Sequence, residues 1–169
     1  SHTFASTPMV SLAAFKRQTT AGIIITASHN PAEYSGYKIK GGYGGPAYPA
    51  MIEAVERQIP DEPQIYEDKF DALLHKKQIE FYDIESLYIN HLKESFDLKA
   101  IRESDLKIGY DAMFGAGQHV IRKVLPDAIC IHATFNPSFK GVAPEPIEKN
   151  LGVFEDLIRQ ENIQVGNLH

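Results

Sequence analysis

Apolar positions along the chain recur with helical spacing in some stretches and run unbroken in others. Met9, Val10, Leu12, Ala13 and Phe15 follow Thr7 and Pro8, so the pattern predicts a helix with a threonine cap and a proline in its first turn. Residues 22–26 form a short, unbroken, β-branched run, which predicts a strand buried on both faces. From residue 27 to 49 the chain is dense in Gly, Pro, Ser and Asn, marking a long irregular segment with a second strand over residues 37–40. Met51, Ile52, Val55 and Ile59 then share one face of a helix that follows Pro49.

Residues 60–82 are charged and weakly periodic, and read as connecting material. Ile84, Leu87, Tyr88, Leu92 and Phe96 predict an amphipathic helix over residues 84–96. Beyond it, strand-like stretches at 106–110, 129–132 and 163–165 alternate with helical patterns at Val120, Ile121, Val124 and Leu125, and at Leu151, Phe154, Leu157 and Ile158. That rhythm predicts an α/β fold built from βαβ units around a largely parallel sheet.

Composition narrows the function classes. A chain of 169 residues is one domain or two small ones, and 43% hydrophobic with 23% charged residues is the balance of a globular protein. No apolar run approaches the ~18 residues that span a bilayer, so no membrane-spanning segment is expected. The net charge of −5 offers no basic footprint for nucleic acid or an anionic membrane, so an anionic ligand would need a local site. Cys130 is the one cysteine, which excludes an internal disulfide, a CxxC redox pair and a cysteine-rich zinc site. The first residues lack the pattern of a signal peptide, and the cytoplasm is the expected location.

Ser28 is the first candidate for chemistry, because it lies two residues beyond a predicted strand and ligands of α/β sheets bind beyond strand ends. The plainer reading of Ser28, His29, Asn30 and Pro31 is a side-chain-capped turn. A Ser-His-Asp triad is less attractive, since His29 directly follows the serine and reads better as an electrostatic neighbour than as its base. Lys38 and Lys40 bring positive charge back toward this loop if residues 37–40 pair as a strand, when alternation sets both on one face; the competing reading is a solvated strand edge. Residues 114–117, Phe-Gly-Ala-Gly, lack GxGxxG spacing and a Walker lysine, so a plain strand-to-helix turn is favoured over a phosphate loop.

Taken together, the string GIIITASHNP at residues 22–31 and EYSGYK at 33–38 resemble the phosphoserine loop of the α-D-phosphohexomutases, the phosphoglucomutase/phosphomannomutase superfamily. The segments STP at 6–8, YGGPA at 43–47, DAMFGAG at 111–117 and GVAPEPIEKNL at 141–151 are similar to further stretches of its first two domains. The resemblance implies a three-layer α/β/α architecture with mixed, largely parallel sheets. Residues 1–83 would be the latter part of domain one and 84–169 the earlier part of domain two.

It also implies phosphoryl transfer between the 1- and 6-positions of a glucose or mannose phosphate, through a phosphoserine and a bisphosphate intermediate. Ser28 would carry the phosphoryl group and contact Mg²⁺, with a hexose 1,6-bisphosphate as activator. Lys38 would be the acid/base group, and His29 would position the phosphoryl group or the reacting hydroxyl. Ser35 replaces the more usual asparagine before Gly36, and the family's Asp-rich metal loop would follow residues 163–169, so the piece by itself is expected to be inactive. The alternatives are a non-catalytic binding member of the same fold and a hydrolase built on Ser28, which lacks an evident base and oxyanion hole.

Overall fold

The structure is a computed structural model that describes residues 4–62 and 69–168. Part of the expected connecting stretch, residues 63–68, lies outside the described residues. Helix α1 (Thr7–Lys16) leads into an antiparallel pair, β1 (Ala21–Thr26) and β2 (Gly36–Gly41), in the register Ile24↔Lys38 and Thr26↔Gly36.

The structure departs from the sequence pattern at both α1 and β1. The cap position of α1 is Ser6, extended at φ −73° and ψ 156°, and no side chain caps the helix; Thr7 is already helical. The first turn is instead closed by the Ser6 carbonyl, which accepts from Met9 N at 3.1 Å and Val10 N at 3.3 Å. Nor is β1 buried on both faces: Ile24 is 6% exposed, but Ile23 and Ile25 are 56% and 65% exposed. The reason is one-sided cover. α1 packs on the face of Gly22, where an added Cβ would lie 3.3 Å from Val10 Cγ1, and no described element covers the other face of Ile23 and Ile25.

Helix α2 (Pro49–Glu56) is shorter than its apolar pattern, leaves Ile59 outside and buries none of its residues. The connecting stretch contains a short helix that weak periodicity concealed, α3 (Phe70–His75), set by an edge contact of the Phe70 and Phe81 rings. Helix α4 (Ile84–Ser95) begins where Asp83 accepts from Ser86 N at 2.9 Å and Ser86 Oγ at 2.7 Å. A further turn, α5 (Leu98–Arg102), starts on the same device at Asp97.

The second sheet has β3 (Ile108–Asp111) at its centre, β4 (Ile129–Ile131) on one side and β5 (Val165–Leu168) on the other, all parallel. Its outer strands begin or end within a few residues of the expected bounds, and Leu106 stays outside, 52% exposed. The crossovers through α6 (Gln118–Val124) and α7 (Glu148–Glu161) place the two helices on opposite faces, as two right-handed connections running in opposite directions across a parallel sheet do. Strand alternation agrees: Gly109 faces Phe154 of α7, while Tyr110 packs in a cluster with Ile121 of α6.

The main buried cluster joins Met9, Ile89, Leu98, Val120 and Val124, so α4 is a shared layer between α1 and α6. This places the β1–β2 hairpin beside the carboxyl ends of the parallel strands, with a cleft between them.

Candidate functional site

The cleft encloses about 540 Å³. One wall is the turn after β1. Asn30 donates from its backbone N (3.1 Å) and its Nδ2 (3.0 Å) to the Ala27 carbonyl, and Ser28 N donates to Thr26 Oγ1 at 3.0 Å. The capped turn therefore exists, and it serves to present Ser28. Held from both sides, Ser28 adopts φ 58°, a conformation that residues with a Cβ seldom take, and its side chain is exposed. Ser28 Oγ and His29 Nδ1 stand 3.3 Å apart, so the neighbouring imidazole does reach the hydroxyl, with the direction of donation set by its tautomer.

Lys38 lines the same cleft from β2, on the face that carries Ile24. Lys40 is not among the cleft residues. It lies half-buried on that face nearer α1, where a Cβ on Gly22 would come within 3.4 Å of Lys40 Cβ. The sequence-predicted candidates Ser28, His29 and Lys38 are thus brought together, and Lys40 is left out.

The opposite wall comes from the second sheet. Residues 114–116 form the plain strand-to-helix turn the spacing favours: Gly115 N donates to Ala112 O, and Gln118 Nε2 donates to Gly115 O at 2.9 Å, so the turn satisfies itself. Phe4 stacks on Phe135, ring centroids 6.1 Å apart, at the edge of the cleft.

No Asp or Glu is among the described residues lining this cleft, and those residues include no group of three or more His, Cys, Asp or Glu placed to hold a metal ion. A phosphate on Ser28 would offer oxygens to Mg²⁺. The carboxylates that complete such a donor set are not among the described residues around it, so the residues present do not make a Mg²⁺ site.

Sequence reasoning missed a second polar cluster. Asp111 ends β3 at 1% exposure; its Oδ1 accepts from Met113 N at 2.8 Å, and its two oxygens lie 2.9 and 3.0 Å from His132 Nδ1. Both residues sit at carboxyl ends of parallel strands, which is the signal that could have found them. Nearby, burial pushes the Tyr110 phenol up to about 12, with Cys130, Asp111 and Tyr88 adding to the shift. Burial also raises the Cys130 thiol, against the opposing charge of Arg122.

Residues 1–65 match the family described as phosphoglucomutase/phosphomannomutase, alpha/beta/alpha domain I, and residues 86–169 match its domain II. A protein of Methanosphaera stadtmanae named a probable phosphoglucosamine mutase is 34% identical over 96% of this chain and 36% of its own length. A phosphoglucomutase of Staphylococcus haemolyticus is 30% identical over 98% of this chain and 32% of its own. A crystal structure from Thermus thermophilus, assigned as a phosphomannomutase, superposes with a TM-score of 0.78 at 32% identity, covering 91% of this chain and 35% of that one. The chain therefore spans about a third of the length of the relatives it matches.

Proposed function

Because the chain belongs to the phosphoglucomutase/phosphomannomutase family, we propose that Ser28 is the phosphoryl carrier of a hexose-phosphate mutase. The observation that carries this reading is the grouping of an exposed Ser28 hydroxyl, His29 Nδ1 at 3.3 Å and Lys38 in a cleft whose described lining has no acid, an environment suited to a phosphate dianion. In this reading residues 1–83 carry the phosphoserine loop and residues 84–169 begin the neighbouring domain.

The transfer balances on these residues. With Lys38 starting as the free amine and His29 as the imidazolium, a sugar hydroxyl oxygen attacks the phosphorus, its proton passes to Lys38 Nζ, and the bond from phosphorus to Ser28 Oγ breaks as His29 Nδ1 gives Oγ a proton. When Oγ then attacks the phosphate at the other end of the sugar, His29 takes the proton back and Lys38 returns its own to the departing sugar oxygen. Mg²⁺ would be held by the phosphate and by carboxylates from outside the residues described around Ser28. A hexose 1,6-bisphosphate would prime the serine. The names of the relatives divide among glucosamine, glucose and mannose phosphates, and glucose or mannose phosphate is the substrate proposed here.

The test is phosphopeptide mass spectrometry and mutase turnover on the full-length protein with and without Ser28→Ala. Loss of a phosphopeptide containing residue 28, together with at least a ~1000-fold fall in turnover, is expected when a covalent carrier is removed. Undiminished turnover in the variant sinks the assignment, and acylation of Ser28 in place of phosphorylation favours the hydrolase.

A further inference from the structure

Left-handed backbone conformations crowd one place in the fold. Met113 (φ 43°), Phe114 (60°), His132 (46°), Phe139 (52°) and Lys140 (54°) all belong to loops beyond β3 and β4, and none of them is glycine. Such conformations persist where the surroundings over-determine them, and they gather at functional sites. Here they surround a cavity of about 340 Å³ at the carboxyl ends of β3 and β4, a volume in the range of small-molecule sites. The cavity lies beyond the carboxyl ends of parallel strands, the side on which α/β sheets bind ligands.

The Asp111–His132 pair lines the cavity. A carboxylate only accepts, so the contacts at 2.9 and 3.0 Å place the imidazole hydrogen on Nδ1 and leave Nε2 uncommitted to the pair. The Lys140 ammonium lies 5.4 Å from the centroid of the Phe114 ring, whose other neighbour is the His132 ring at 4.8 Å. Lys149 enters from the first turn of α7. Asp111 is the one acid in the described lining and is already engaged by His132, so two ammonium groups remain to receive an anion. The remaining wall is apolar, with Phe139 and the exposed Val142 and Val153.

We propose that this cavity binds a small organic phosphate ester. Lys140 and Lys149 receive the phosphate beside the His132 ring, and the body of the ester covers Phe139, Val142 and Val153. The site is separated from the Ser28 cleft by Phe114, Phe139 and Pro144, which line both, and it does not depend on the mutase reading.

The test titrates the full-length protein with phenyl phosphate and with inorganic phosphate, by calorimetry and by NMR of the His132 imidazole. Phenyl phosphate should bind saturably, shift the His132 resonances and bind about tenfold tighter than inorganic phosphate, because only the ester covers the apolar wall. The double variant Lys140→Gln, Lys149→Gln should weaken it about tenfold, whereas Lys38→Gln should not. Both lysines of the double variant are exposed, so it keeps the fold even if His132→Ala, which strands a buried carboxylate, does not. The proposal is overturned by an absence of saturable binding or by an unmoved His132. It is overturned equally if binding is lost with Lys38→Gln and kept in the double variant, which places the ester in the Ser28 cleft.

Discussion

At the scale of single residues, Ser28 and Asp83 show how local hydrogen bonds set chemistry. Ser28 is held at φ 58° by the Thr26 hydroxyl on its own N–H and by Asn30 on the preceding carbonyl. A left-handed residue with a Cβ costs roughly 1–2 kcal/mol, part of which glycine recovers. Ser28→Gly should therefore leave thermal stability unchanged or raise it by up to about 1 kcal/mol in a denaturation experiment, while abolishing phosphorylation. A large loss of stability would show that the hydroxyl supports the turn. Asp83, at the start of α4, has its carboxyl held below the usual range by hydrogen bonds from Ser86. A carboxyl lowered in the folded state stabilises at pH above its unfolded value, and that contribution disappears as pH falls through the lower folded value. Asp83→Ala should thus depress the melting temperature near neutral pH, with the difference shrinking toward pH ~2. Parallel melting curves that differ equally at both pH values would refute the link.

At the scale of elements, the helices follow their apolar stripes but the sheet depends on close approach. Phe154 of α7 is 2% exposed and lies against Gly109 and Gly166, where added Cβ atoms would stand 3.3 and 3.0 Å from its ring. A Cβ on Gly109 would also come 2.8 Å from Ile163 Cδ1, so the glycine is what lets α7 and the chain entering β5 meet β3. Phe154→Ala should cost about 3–5 kcal/mol by the loss of a fully buried aromatic side chain. Urea denaturation measures it, and a loss below about 1 kcal/mol would mean that α7 contributes little to holding the sheet. The ends of the strands were legible only to within a few residues, since the ladder starts where β3 finds partners, and Leu106 finds none.

At the scale of the whole molecule, one cluster from Met9 to Val124 unites the hairpin half with the parallel-sheet half, while the outer face of β1 and β2 carries Ile23, Ile25 and Tyr37 at 56–65% exposure. An apolar two-stranded surface of this kind invites pairing. The isolated chain should therefore self-associate with rising concentration, seen by light scattering, and Ile25→Lys should reduce it. Strictly monomeric behaviour of the unsubstituted chain would contradict this. No described helix is long and apolar enough to cross a membrane.

What is local is legible along the chain. Helical stripes, the parallel rhythm and the residues of the serine loop are written in spacings of a few positions, and the resemblance they carry identified the family. What depends on distant neighbours takes shape only when the chain folds. The unbroken run at residues 22–26 is the pattern of a strand covered twice, yet cover comes from packing partners, and only α1 supplies it among the described elements. Lys38 and Lys40 are alike in sequence, and the separation of one into the cleft from the other beside α1 arises from the pairing of β2 with β1. Asp111 and His132 are 21 residues apart and meet because parallel pairing sets Asp111 opposite Ile131, a coincidence of register that no short pattern could encode.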